Sequence, residues 1–234
     1  MATEEEENKM GRIVEFLTNG NTGSGYLATP RETQGPGIVV IQEWWGLVDH
    51  IKAVTDRLAE AGFVALAPDF YDGKPTSSPD EAGKLMMALN IDGAEKQLRG
   101  AINYLLSLDQ VKGDQVGTVG FCMGGQLSLY AACANQAVGA CVDFYGIHPN
   151  VKLDFSALQS PVLGFFAEKD GFVPPEAAQK LERDLKNAGK NVDFTVFSDA
   201  DHAFFNDTRS DVYHDEYARQ CWERMVKFFG DNLS

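Results

Sequence analysis

Val116-Gly117-Thr118-Val119-Gly120-Phe121-Cys122-Met123-Gly124-Gly125-Gln126-Leu127-Ser128-Leu129-Tyr130-Ala131-Ala132 is the stretch that decides the fold. Its first four residues are an apolar, β-branched run of the kind a buried strand shows, and Gln126 to Ala132 read as a helix. A single-residue bend centred on Cys122 joins them. Glycines two before and two after that residue meet the need of a nucleophile elbow, whose central residue holds a strained backbone that neighbours with a Cβ would crowd. A thiol there stands at a helix N-terminus, where N–H groups and the helix dipole favour a thiolate or an oxyanion.

Outward from the elbow the pattern alternates strand and helix. Upstream, Gly37-Ile38-Val39-Val40-Ile41 is a continuous apolar run suited to a central parallel strand, and it delivers Gln42-Glu43-Trp44-Trp45-Gly46 to its carboxyl end. A helix over 51–61 and a strand over 63–67 complete a βαβ unit. Helical spacing begins at Pro79, pauses near Asn90-Ile91-Asp92-Gly93 and resumes through Leu98, Ile102 and Leu105. Nearer the N-terminus, 12–17 and 25–28 read as an antiparallel pair at the edge of the sheet, joined through Asn19 to Gly23. Downstream come strands over 138–144, 161–166 and 192–197, a helix over 175–188 and a terminal helix over 213–229. The reading is an α/β protein with a mostly parallel central sheet and helices on both faces. Residues 12–234 are expected to form one domain, and residues 1–11, with Glu4 to Glu7, a mobile acidic tail.

The chain has 234 residues, 44% of them hydrophobic, enough to bury a full core without staples. Its formal net charge is -14, which argues against nucleic acid and anionic membranes as partners. No apolar run is long enough to span a bilayer, and the acidic start is unlike a secretory leader, so a cytoplasmic location is expected. The four cysteines include no C-x-x-C pair, which argues against a disulfide framework or a zinc site. No metal or organic cofactor is expected, and the assembly is read as a monomer or a small homo-oligomer.

Three residues at strand ends then fall in the order nucleophile, acid, histidine: Cys122, Asp170 and His202. That is the chain order of the α/β-hydrolase fold. A thiol needs a base to ionise near neutral pH, an imidazole has the pKa to serve, and a carboxylate fixes the imidazole's tautomer. Asp170 lies in Asp170-Gly171-Phe172-Val173-Pro174, a turn ahead of a helix, so the alternative for it is a turn residue satisfying backbone N–H groups. Cys133, Cys141 and Cys221 sit in apolar segments and read as core.

The chain resembles the dienelactone hydrolase (carboxymethylenebutenolidase) family from about Ile38 to the terminal helix. The resemblance rests on Gln42-Glu43-x-x-Gly46, Pro68-Asp69-x-Tyr71, Gly120-Phe121-Cys122-Met123-Gly124-Gly125, Tyr145-Gly146, Asp170-x-x-Val173-Pro174 and His202-x-Phe204. It implies that Glu43 gates the thiol, keeping Cys122 neutral at rest and drawing its proton away when substrate arrives. The alternative for Glu43 is an ionised residue at the rim. Backbone N–H groups of Trp44 and Met123 would form the oxyanion hole, and Trp45, Tyr145, Phe204 and Asn206 would line the substrate pocket.

The chain also departs from the family's pattern. Arginines that hold a substrate carboxylate are expected shortly after the histidine and between Thr76 and Gly83. Here the first stretch reads His202-Ala203-Phe204-Phe205-Asn206, with Arg209 the nearest arginine, and the second holds no arginine. The expectation is a cysteine-dependent hydrolase of small-molecule esters or lactones. Two further readings stay open: an esterase for neutral activated esters without dienelactone activity, and a thiol-based redox or ligand-binding protein.

Overall fold

Eight strands share one sheet in the computed structural model, which describes residues 11–31 and 34–233. The strands are β1 (Gly11–Thr18), β2 (Asn21–Ala28), β3 (Gly35–Ile41), β4 (Val64–Pro68), β5 (Val111–Phe121), β6 (Val138–Phe144), β7 (Val162–Ala167) and β8 (Val192–Phe197). They lie in the order β1-β2-β4-β3-β5-β6-β7-β8. β1 and β2 turn through Asn19 and Gly20, both at positive φ (50° and 98°), as a two-residue hairpin requires. β2 is antiparallel to β4, and β3 to β8 are parallel. The carboxyl ends of six strands therefore open on one edge. Of the expected tail, residues 1–10 lie outside the described residues, whereas Gly11 opens β1 because its backbone pairs with Ala28.

Alternation along the buried strands sends side chains to two cores. Ile38 and Val40 of β3 point to one and Val39 and Ile41 to the other. The first core is closed by α1 (Asp49–Glu60), through Ile51, Val54 and Leu58, and by α6 (Asp215–Asn232), through Cys221, Met225 and Phe229. The second is closed by α3 (Ile91–Leu106), through Leu98, Ile102 and Leu105, by α4 (Met123–Ala134) and by α5 (Pro175–Asn187). α2 (Pro79–Ala88) buries only Ala82. No helix among the described residues is long and apolar enough to cross a membrane.

The elbow is the tightest joint in the sheet. Phe121 ends β5, Cys122 stands alone at φ 55°, ψ -122°, and Met123 opens α4. Gly120 and Gly124 permit this: a Cβ on Gly120 would fall 1.8 Å from the Gly124 carbonyl oxygen, and one on Gly124 would fall 2.4 Å from that of Gln42. The strained residue is held from β6, since Cys122 N–H donates to the Phe144 carbonyl (3.0 Å) and Ile147 N–H donates to the Cys122 carbonyl (3.2 Å).

Asp143, at the end of β6 beside this joint, is fully buried, and neither carboxyl oxygen has a hydrogen-bond partner of ordinary geometry. Burial pushes its carboxyl from 3.8 up to about 7, and the nearby Gly146 N–H offsets only part of that. An acid with a raised pKa in the folded state costs nothing below pH 3.8, where both states are protonated. The cost grows between pH 3.8 and 7 and is complete above 7, on the order of 4 kcal/mol for a shift of this size. Asp143→Asn is therefore expected to gain thermal stability on the wild type as pH rises from 4 to 8. Melting curves across that range check it, and a pH-independent difference between the two proteins would refute the burial argument.

Candidate active site

The site forms where the loops after β3, β5, β7 and β8 meet. Asp170, after β7, has a fully buried side chain that divides its work between two oxygens. Oδ1 accepts from the N–H groups of Phe172 (2.7 Å) and Val173 (2.9 Å), fixing the turn into α5, and Oδ2 lies 2.7 Å from His202 Nδ1. One carboxylate thus both fixes the turn and hydrogen-bonds the imidazole. The carboxylate makes Nδ1 the protonated ring nitrogen, which leaves Nε2 for Cys122, the imidazole's other hydrogen-bond partner.

His202 follows β8 and is 13% exposed at its side chain. Its ring lies between Tyr145 (centroids 4.9 Å apart) and Phe172 (5.0 Å). Burial by itself would lower its pKa, but hydrogen bonds to Asp170 and Cys122, with the charges of both, raise it from 6.5 to about 10. The geometry favours an imidazolium held between Asp170 and Cys122. Cys122 is 7% exposed, at the floor of a cavity.

Glu43, at the end of β3, is 1% exposed and faces the same cavity. Its Oε2 accepts from Asn206 Nδ2 (2.9 Å), and its Oε1 has no partner. Asn206 is held in turn, because its Oδ1 accepts from Thr208 N–H (3.1 Å) and Thr208 Oγ1 (2.7 Å). Expected on the pocket wall, Asn206 instead lies buried behind Glu43 and steadies it. The backbone N–H of Met123 begins α4 and so has no acceptor within the helix, and Trp44 directly follows Glu43. Trp44 lines the cavity beside Cys122, and Met123 follows Cys122 directly in the chain.

The cavity is about 50 Å³, room for only a few non-hydrogen atoms. Trp44, Trp45, Met86, Ile147 and Phe172 form most of its wall. Trp44 meets Trp45 and Phe172 edge to face, at 5.0 and 6.0 Å. Tyr145 and Phe204, expected on this wall, are fully buried behind it. Tyr145, at φ 42°, packs under His202, and Phe204 fills the core against Phe197 (5.3 Å).

Arg209, the arginine nearest the histidine in the sequence and with Lys74 a candidate to replace the absent arginines, lines the cavity. Its signal was seven residues' distance from His202 in the same loop, and Arg209 N–H donates to the Asn206 carbonyl to turn that loop inward (3.1 Å). Its guanidinium also donates to Asp211 (2.6 Å). Met86 and Phe172 were missed as well: Met86 arrives from the end of α2, tied by its carbonyl to His148 Nε2 (3.1 Å). Lys74 lines a different groove, beside the β1–β2 hairpin. Among the described residues no cluster of three or more histidine, cysteine, aspartate or glutamate side chains could hold a metal ion.

Comparison with known proteins gives a consistent result. The model of the Dienelactone hydrolase family matches residues 24–233. Protein usf of Aquifex pyrophilus is 39% identical over 232 residues, covering 96% of this chain and 100% of that protein. A protein of Aquifex aeolicus named "Putative carboxymethylenebutenolidase" is 37% identical, covering 94% of this chain and 98% of that one. Among solved structures, m3DLH superposes with a TM-score of 0.86 at 26% identity, over 96% of this chain and 98% of its own.

The His202 shift has a testable sign. A histidine whose folded pKa is raised contributes stability that is fully present below pH 6.5 and is lost as pH rises through about 10. The melting temperature of the wild type should exceed that of His202→Gln most clearly near pH 6, with the gap closing by pH 10.5. A gap that stays constant over that range would show that the imidazolium is not held by Asp170 and Cys122.

Proposed function

The chain belongs to the dienelactone hydrolase family, and from that membership we propose that it hydrolyses small esters and lactones through an acyl group carried on Cys122. The observation that carries this reading is one imidazole joined to a buried carboxylate on one side and to the elbow thiol on the other.

The steps follow from the positions. The Cys122 thiolate attacks the substrate carbonyl carbon, a C–S bond forms, and the carbonyl π electrons move onto oxygen, where the N–H groups of Met123 and Trp44 receive them. Collapse breaks the C–O bond, and His202 gives its Nε2 proton to the departing oxygen. Water then loses a proton to His202 and attacks the thioester, releasing the acid and restoring the thiol. Asp170 holds the ring through both halves. Thiolate is a better leaving group than alkoxide, so the first adduct tends to collapse backwards unless the departing oxygen is a good leaving group, such as that of an enol or phenol. Activated esters and enol lactones meet that condition.

Glu43 bears on the resting thiol. A carboxylate with one unpartnered oxygen in the cavity that holds Cys122 can take the thiol proton, and Asn206 keeps it aimed there. The narrow, mostly apolar cavity favours a short acyl group. Among the described residues Arg209 is the one arginine at its wall, where it would meet a substrate carboxylate, and its bond to Asp211 weakens that role.

Cys122→Ala should lower turnover of p-nitrophenyl acetate about 10³-fold or more, and an alanine variant that keeps wild-type turnover would overturn the proposal. With the wild type, kcat/KM for p-nitrophenyl acetate should exceed that for the hexanoate. Arg209→Ala should lower kcat/KM for a carboxylate-bearing enol lactone about tenfold and leave the neutral acetate ester within twofold. Equal losses on both substrates would remove Arg209 from carboxylate recognition.

A further inference from the structure

Tyr71 stands between the two elements that carry the oxyanion donors, and no step above uses it. It follows β4 in Pro68-Asp69-Phe70-Tyr71-Asp72-Gly73. Four hydrogen bonds fix that turn. Asp69 accepts from Tyr71 N–H (2.9 Å) and Gly73 N–H (2.6 Å), Gln97 Nε2 donates to the Asp69 carbonyl (2.6 Å), and Phe70 N–H donates to Gln42 Oε1 (3.3 Å). The side chain so delivered is almost wholly buried. Its ring packs on Gly46, where a Cβ would come within 3.2 Å of Tyr71 Cδ2. Its hydroxyl donates to Met123 Sδ at 3.3 Å.

One side chain therefore touches both walls. The ring braces the Glu43-to-Gly46 loop, which carries the Trp44 N–H, and the hydroxyl braces Met123, which carries the other donor. Tyr71 does not line the catalytic cavity. Its exposed edge lies on the separate groove beside the β1–β2 hairpin, so it acts through its neighbours and does not touch substrate. A buried tyrosine hydroxyl ordinarily finds an oxygen acceptor, and a thioether is a weak one. Little stability is gained from such a bond, whereas its direction fixes where the first residue of α4 sits. Burial keeps the phenol protonated as a donor.

We propose that Tyr71 is a positioning residue of the oxyanion hole, holding the Met123 and Trp44 N–H groups at the spacing that the tetrahedral oxyanion needs. The inference rests on the acyl-enzyme reading above.

The test compares the wild type, Tyr71→Phe, Met123→Leu and the double variant in pre-steady-state hydrolysis of p-nitrophenyl acetate, with the acyl mass on Cys122 read in parallel. Tyr71→Phe removes only the hydroxyl and Met123→Leu only its acceptor, so each variant checks the other. Each single variant should acylate about tenfold more slowly, with KM within twofold and an unchanged melting temperature, and the double variant should be no slower than the singles. Acylation of Tyr71→Phe within twofold of the wild type, or a change confined to KM, overturns the inference alone. Absence of an acyl adduct on wild-type Cys122 overturns the acyl-enzyme reading and this inference with it.

Discussion

A single residue held at positive φ organises the carboxyl edge of this sheet. Cys122 leaves β5 at φ 55° and enters α4 one residue later, and an L-amino acid adopts such a backbone only where its surroundings leave no alternative. Those surroundings are specific: a carbonyl at the end of β6 takes its N–H, and the loop after β6 donates to its carbonyl. Two glycines, one on either side, allow β3, β5 and α4 to approach within backbone contact. The strain projects the thiol out of the sheet, between the loop after β3 and the loops after β7 and β8.

Charge is distributed unevenly around that thiol. Asp170 is buried but fully engaged, with both oxygens in hydrogen bonds, so its negative charge is directed at His202. Glu43 is buried and only half engaged, leaving one oxygen free to act in the cavity. Asp143, on the far side of the elbow, is buried and unengaged, and its carboxyl is raised to about 7. The three carboxyls sit within one edge of one sheet, and what separates them is the number of donors each one meets.

The aromatic content of the site follows the same division between cavity and scaffold. Trp44, Trp45 and Phe172 face open space, whereas Tyr145, Phe204 and Phe205 are scaffold: Phe205 stacks on Phe121 and packs against Phe144 under the elbow, Tyr145 packs against both, and Phe204 meets Tyr145 edge to face. His202 stands at the boundary, between one ring of each kind. Its exposure, and with it the water available to its imidazole, is set by Phe172 on the outer side. Phe172 is itself 56% exposed, and it stands over the histidine beside the cavity mouth.

The sequence by itself determined the order of strands and helices, the edge hairpin, the elbow and the three strand-end positions of Cys122, Asp170 and His202. These are local demands: the period of apolar residues, turn-forming residues between Asn19 and Gly23, and the absence of a Cβ at Gly120 and Gly124. Tertiary structure alone decided which side chains face the cavity. Tyr145 and Trp45 are both strand-end aromatics, and nothing within four residues of either distinguishes a wall from a core. Asn206 could have faced substrate, and only the packing of its loop against β3 turned it toward Glu43. Met86 comes from a helix that shares no motif with the rest of the site, and Arg209 from a loop whose path is set by hydrogen bonds to its own backbone. Chain spacing carries the direction of a side chain within one element. Where walls converge from separate elements, the direction is fixed by what each one packs against.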